Sequence, residues 1–271
     1  MKRMILTGTL ALAAGLTGLM AQQGKQTKGQ TKGQEQAPPA QQQQQQMIPG
    51  TKSAGESEAL MALIQAQGNP DATIKAADEL LTKYADTSFK ETALLQEANA
   101  YQAKRDNTKA QLYAERVLEV NPKSFQATLM LGELISAGTK ENDLDKEEKL
   151  TKATKYLNDT IENLKTAAKP NPQVTDAQWE EGKKFVVAEA HNGLGMIAIV
   201  RKKWDVAANE FKTAIEADPQ PAYQVRLAMA YQNLGKNDEA VAIVDKLLAD
   251  PQLHPAIKQV AQSIKTQAGK K

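Results

Sequence analysis

The sequence predicts an all-α protein built from repeated helical hairpins, and three observations support this. From Glu56 onward, apolar residues recur every three or four positions, the period of an amphipathic helix and not of a strand. The helical runs are interrupted by turn-forming Asn-Pro, Asp-Pro and Gly-Lys-Asn sequences. When the chain is aligned on Pro122, Pro219 and Pro251, which each follow a helical run, a period of about 34 residues emerges.

The period predicts about five hairpins over residues 56–268. The first hairpin has its turn at Asn69-Pro70-Asp71, between two helical runs. The third hairpin is lengthened by an acidic stretch, Thr139 to Glu148. A long helix running toward Lys202 opens the fourth, and residues from Pro255 have the apolar spacing of a final capping helix. The clearest repeats are 91–124, 188–220 and 221–252.

Small and aromatic residues recur at the positions where the two helices of a hairpin should meet. Small side chains allow helix axes to approach to about 8–9 Å, and an aromatic ring then fills the space beside the contact. The predicted packing residues are Ala98, Tyr101, Ala110, Gly132, Gly195, Ala207, Phe211, Ala228, Tyr231 and Ala240.

One repeat carries this pattern most completely, with Gly195, Ala207, Phe211, Ala214 and Pro219 separated by twelve, four, three and five residues. The segment resembles a tetratricopeptide repeat. The resemblance implies a right-handed superhelix of hairpins with a C-terminal capping helix. It also implies a non-enzymatic protein-binding scaffold, in which the first helices of successive hairpins line a concave groove.

By this resemblance, the groove should hold a segment of another protein. Methionine and branched aliphatic residues would provide apolar anchors, and amides and one carboxylate would provide polar contacts. An alternative is that the methionines are buried in the core of the superhelix. The predicted groove residues are Asn99, Glu133, Asn192, Met196, Ile199, Val225, Met229 and Gln232.

The N-terminal region predicts export. Lys2 and Arg3 precede the uncharged apolar stretch 4–20, so residues 1–21 are interpreted as a signal peptide. Residues 22–55, rich in Gln, Lys and Pro, are predicted to form a disordered linker. We therefore expect a periplasmic protein. The alternative is an inner-membrane protein anchored by uncleaved residues 4–20, and otherwise membrane attachment would require a partner.

Charge and composition argue against several functions. The chain has 34 basic and 32 acidic residues, and the predicted folded part lacks the basic stripe that nucleic-acid binding requires. It contains no Cys, and its two histidines, His191 and His254, lie in different elements, so no metal or cofactor site is predicted. No catalytic motif or small-molecule site is recognised, and the sequence is not predicted to be an enzyme.

The predicted partners are other proteins, of the envelope or secreted. Two more specific functions remain as alternatives. The sequence from Tyr84 to Ala93 is similar to the Tyr-Pro-x-Ser-x-Tyr junction of tetratricopeptide proteins that assemble outer-membrane proteins, which implies an envelope-assembly factor. The other is an accessory domain that binds cell-wall polysaccharide, which would need exposed aromatic residues, whereas the two tryptophans, Trp179 and Trp204, both fit helix packing.

Overall fold

The structure is a computed structural model that describes residues 47–170 and 173–269. The predicted signal peptide and linker residues 22–46 lie outside these ranges. The described residues form eleven α-helices and no strand, which confirms the predicted all-α class. The helices are α1 (Ala54–Gln65), α2 (Pro70–Lys83), α3 (Lys90–Ala103), α4 (Asn107–Val120), α5 (Phe125–Gly138), α6 (Lys146–Thr166), α7 (Asp176–Val200), α8 (Trp204–Ala217), α9 (Pro221–Asn233), α10 (Asn237–Leu248) and α11 (Pro255–Ala268).

The described residues divide into two compact units. Unit 1 comprises residues 47–113 with the described part of 169–175, and unit 2 comprises 114–168 with 176–269. Unit 1 has a small apolar core of Leu60, Leu63, Ala77, Leu80 and Ala93, contributed by α1, α2 and α3. The turn between α1 and α2 forms where predicted, since the Asn69 side chain accepts a hydrogen bond from the Ala72 amide.

Residues 47–53 form an N-terminal strap on unit 1. Ile48 is buried in the core of the unit, and its amide donates a 2.8 Å hydrogen bond to Ser57 Oγ. The buried carboxylate of Glu56 accepts hydrogen bonds of 2.6 Å from both the Thr87 hydroxyl and the Lys52 amide. Residues 47–55, assigned to the linker from their composition, therefore belong to the folded unit, and α1 begins at Ala54.

Unit 2 is a series of hairpins in which α5 packs on α6, α7 on α8, and α9 on α10. The helix α11 packs on both α9 and α10 and covers the end of the series. First helices also meet their counterparts, as α5 packs on α7. Each hairpin therefore has two layers of contact, within itself and with the next hairpin, as expected for stacked repeats.

The predicted packing positions lie mostly in the core. Nine of the ten are buried, whereas Tyr231 is half-buried with the Lys212 and Lys236 ammonium groups 5.5 and 5.7 Å from its ring centroid. The two glycines of this set lie at close approaches between helices. A Cβ atom at Gly132 would lie 2.6 Å from Leu157, and one at Gly195 would lie 2.5 Å from Phe211.

Candidate functional site

The first helices of unit 2, α5, α7 and α9, carry a connected set of polar side chains. The Tyr223 hydroxyl donates a 2.8 Å hydrogen bond to Glu189 Oε1. Asn192 Nδ2 lies 3.5 Å from Glu189 Oε2, and Arg226 Nη1 donates to Asn192 Oδ1. Burial raises the pKa of the Tyr223 hydroxyl far above its ordinary value of 10.0, so Tyr223 is a permanent donor to Glu189 at neutral pH.

Glu133 on α5 completes this set, which we call the polar cluster: Glu133, Glu189, Asn192, Tyr223 and Arg226. Glu133 is half-buried. Burial, and secondarily the Glu189 carboxylate, raise its pKa from 4.5 to about 8. No donor among the described residues forms a hydrogen bond with the Glu133 carboxyl group, so at neutral pH the protonated form is favoured.

The predicted apolar anchors differ in accessibility. Met196 and Ile199 on α7 are half-buried beside the core that contains Phe211, and Met229 on α9 is half-buried beside the core closed by α11. Each of these three side chains therefore contacts the core and keeps part of its surface exposed. Val225 is only 7% exposed and packs in the α11 core, so it cannot serve as a groove anchor.

The predicted polar groove residues do not all lie at one site. Glu133 and Asn192 join the polar cluster, whereas the Gln232 side chain donates a 3.4 Å hydrogen bond to the Ile264 carbonyl of α11. Asn99 is half-buried on α3 in unit 1, and the other seven predicted groove residues lie in unit 2. The predicted set omits Glu189 and Tyr223, which are 34 residues apart and therefore occupy equivalent positions in successive repeats.

The two histidines and two tryptophans make contacts within the fold. His191 Nδ1 lies 2.8 Å from Glu210 Oε2, and His254 Nδ1 accepts a hydrogen bond from the Ala256 amide at the start of α11. Trp179 is buried and its ring is tilted against that of Phe125, and Trp204 is half-buried. Neither ring has the fully exposed face that stacking on a sugar would use.

The described residues contain neither a metal-binding cluster nor a membrane-spanning helix. Within residues 47–170 and 173–269, no group of three or more His, Cys, Asp or Glu side chains is arranged to hold a metal ion. In the same part of the chain, no helix combines the length and the apolar character needed to cross a membrane.

Comparison with known proteins finds a repeat family in two segments of the chain. A family model described as tetratricopeptide repeat matches residues 95–154 and 192–256, and the second segment includes Asn192, Met196 and Met229. The chain therefore carries segments of tetratricopeptide-repeat (TPR) sequence. No curated protein sequence matches it significantly. The TPR fold is a scaffold for protein–protein interaction, and TPR proteins are typically non-enzymatic.

Solved structures agree with the TPR assignment at the level of the fold. A thermophilic TPR protein of Thermus thermophilus is 18% identical with a TM-score of 0.52, covering 77% of this chain and 98% of its own. The MamA protein is 16% identical with a TM-score of 0.50, covering 79% and 94%. A MamA double mutant is 12% identical with a TM-score of 0.52, covering 82% and 100%.

Proposed function

We propose that this TPR protein is a non-enzymatic scaffold of the bacterial cell envelope that binds a segment of another protein along the first helices of unit 2. The observation that carries the proposal is the position of Met196, Ile199 and Met229, which are half-buried and lie on the same helices as the polar cluster. Thioether and branched aliphatic side chains adapt to an irregular apolar surface. Neighbouring amide and carboxyl groups fix the register of a bound segment.

The binding surface can be tested by placing charge on it. In the Met196→Asp, Met229→Asp double variant we expect loss of the partners recovered by crosslinking in cells, because an apolar segment cannot bury an unpaired carboxylate. Helical circular dichroism and cooperative melting should be retained, since both methionines keep part of their surface exposed. Unfolding of the double variant would show that these side chains serve the core and would refute the proposed surface.

A matched control introduces the same two charges elsewhere in unit 2. Val206 on α8 and Val260 on α11 are 40% and 43% exposed and lie outside the first helices of the hairpins. The Val206→Asp, Val260→Asp variant should recover the same partners as the wild type. Equal loss in both double variants would mean that added negative charge, and not the surface, abolishes binding.

The envelope location is supported by the N-terminal sequence. Lys2 and Arg3 followed by an uncharged apolar stretch are typical of an export signal. Fusing residues 1–21 to an enzyme that is active only after export should give activity, and N-terminal sequencing of the cellular protein should give a start close to residue 22. An exported protein that retains residue 1 would instead support the anchored alternative, and an inactive fusion would refute export.

A further inference from the structure

We infer that α11 is a pH-sensitive cover of α9, and that the His254 side chain holds this cover closed only while it is neutral. When His254 takes up a proton, α11 detaches more often and uncovers predicted groove residues of α9. The part of this inference that concerns binding rests on the proposed function, because it states when one end of that surface is accessible.

The α9 end of the predicted groove lies under α11. Val225 is 7% exposed and packs in one apolar core with Ala261 and Ile264 of α11. Met229 is half-buried beside the same core, and the Gln232 side chain donates a 3.4 Å hydrogen bond to the Ile264 carbonyl oxygen. The predicted groove residues of α9 therefore contact α11 or the core that it closes.

Little apolar surface holds α11 in place. Of its fourteen residues only Ala261 and Ile264 are buried, whereas five of the thirteen residues of α9 are buried. The ion pair between Lys265 and Asp245 joins side chains that are 54% and 47% exposed, and exposed ion pairs contribute little to stability. A helix with few buried contacts opens locally at low cost. The hydrogen bonds at its ends therefore affect how often α11 detaches.

The N-terminal cap of α11 is a histidine side chain. His254 Nδ1 accepts a 3.3 Å hydrogen bond from the Ala256 amide, and Pro255 begins the helix between these two residues. A ring nitrogen accepts a hydrogen bond only when it carries no proton. Histidine is the side chain that ordinarily changes its charge between about pH 5 and pH 8. Because His254 is exposed, protons from the solvent can reach its ring.

Protonation of His254 acts on α11 in two ways. The hydrogen bond from the Ala256 amide is lost, because both ring nitrogens of a protonated histidine are donors. The added positive charge also lies at the start of the helix, where the aligned peptide dipoles already produce a partial positive charge. A histidine at the end of a helix would stabilise it on protonation, so the position of His254 determines that acid opens α11.

Among the described residues, no charged group pairs with the His254 ring. Asp245 is paired with Lys265, and the Asp250 side chain accepts a hydrogen bond from a backbone amide of its own turn. The charged side chains on α9, in the last turn of α10, in the connection to α11 and on α11 itself are Arg226, Asp245, Lys246, Asp250, Lys258 and Lys265. The cap hydrogen bond is therefore the described contact that protonation of His254 changes.

Hydrogen–deuterium exchange of the full chain tests this switch. His254→Asn is the informative variant, because asparagine caps helices well and does not titrate between pH 5 and pH 7.5. The ratio of the α11 exchange rate in the wild type to that in His254→Asn should rise about tenfold from pH 7.5 to pH 5, the combined effect of a lost cap and an unfavourable charge. Comparing two proteins at the same pH removes the pH dependence of intrinsic exchange.

Three controls make the exchange result specific. Amides of α6 should exchange alike in the wild type and in His254→Asn at each pH, because α11 packs on α9 and α10. His191→Asn removes the other histidine of the chain and should leave the pH-dependent exchange of α11 unchanged. His254→Ala, which caps the helix at neither pH, should exchange faster than His254→Asn in α11 at both.

Binding is measured with random peptides displayed on phage and selected at pH 5 against the immobilised full chain. Peptides that fail to bind the Met196→Asp, Met229→Asp variant define the surface of the proposed function. The apparent affinity for a rarely open state rises in proportion to the open fraction. At pH 5 the dissociation constants of these peptides should therefore be several-fold lower for the wild type than for His254→Asn, and at pH 7.5 they should be equal.

The outcomes separate the two proposals. If the α11 exchange ratio is the same at both pH values, or if every selected peptide binds the wild type and His254→Asn equally at pH 5, the inference is overturned and the proposed function stands. If no selected peptide depends on the methionines, the proposed function is refuted, and the exchange measurement still decides whether His254 controls α11.

Discussion

Replacing Gly195 with alanine should destabilise unit 2, although alanine normally favours a helix. Gly195 lies on α7, where an added Cβ would be 2.5 Å from Cε1, 2.8 Å from Cζ and 2.9 Å from Cδ1 of Phe211. Carbon atoms in favourable contact are about 3.5–4.0 Å apart, so the ring or one of the helices would have to move by about 1 Å. Phe211 is 0% exposed, and protein interiors are close-packed, so a displaced ring would press on its neighbours.

Two opposing effects determine how much Gly195→Ala changes the free energy of unfolding. Alanine in place of glycine inside a helix contributes about 1 kcal/mol of stability. Overpacking a close-packed core costs about 1–3 kcal/mol, and the three short distances at Gly195 place this site toward the upper end. We therefore expect Gly195→Ala to lower the free energy of unfolding by about 1–2 kcal/mol.

Tryptophan fluorescence during urea unfolding is a suitable assay. Trp179 and Trp204 are the two tryptophans of the chain, and both belong to unit 2, so their signal reports the unit that contains Gly195. Gly138→Ala is the matched control, because no atom of the surrounding residues lies within 4 Å of a Cβ built at Gly138. That variant should be as stable as the wild type or slightly more stable.

A second variant tests whether overlap with the Phe211 ring causes the loss of stability in Gly195→Ala. Phe211→Leu alone should be destabilising because it leaves a cavity. In the Gly195→Ala background the same change should cost less, because the smaller side chain also relieves the overlap. An unchanged or increased stability of Gly195→Ala, or strict additivity of the two substitutions, would refute the reasoning that this close approach limits side-chain size.

Two further predictions concern carboxyl groups. Because burial raises the pKa of Glu133 to about 8, its protonated form stabilises the fold fully below about pH 4.5, and that stability is lost as pH rises through 8. Between pH 5 and pH 9, unfolding experiments should show a loss on the order of a few kcal/mol that is absent in Glu133→Gln. At the N-terminal strap, Thr87→Val should speed tryptic cleavage after Lys52 several-fold, because Glu56 loses the Thr87 hydroxyl, the main cause of its lowered pKa.

Controls for these two predictions use exposed residues. Glu119→Gln removes an exposed carboxyl group and should leave the pH dependence of stability unchanged. Thr82→Val makes the same replacement on the exposed face of α2 and should not alter cleavage after Lys52. Because the pKa of Glu56 is lowered, its contribution to holding the strap is present above the ordinary glutamate pKa and lost as pH falls through the lowered value. If the Thr87→Val variant is cleaved after Lys52 at the wild-type rate, Glu56 does not hold the strap.

The fold class and the family could be predicted from the sequence because helix contacts impose a pattern on it. Gly195 and Phe211 must be small and large respectively, and the same requirement recurs in each repeat. The strap could not be predicted in this way. Ile48 lies among residues of linker composition, and its partners at Ser57, Glu56 and Thr87 follow no repeat.

The candidate site was only partly predictable. The repeat identifies which positions lie on the first helices, and it therefore found Glu133, Asn192 and Met196. It does not determine how deeply a side chain is buried, and Val225 is covered because α11 packs on both α9 and α10. The link between Glu189 and Tyr223 could have been found by comparing polar residues 34 positions apart.

The number of residues that separates hydrogen-bonded partners along the chain also affects how unit 2 folds. The hydrogen bonds that join Glu189 to Tyr223 and Asn192 to Arg226 each span 34 residues, and the buried bond between Thr128 and Thr160 spans 32. The chain therefore closes loops of nearly constant, moderate length. Since the entropic cost of closure grows only with the logarithm of loop length, each additional hairpin forms at nearly the same cost. Folding can begin in any hairpin and spread to its neighbours, without waiting for the two ends of the unit to meet.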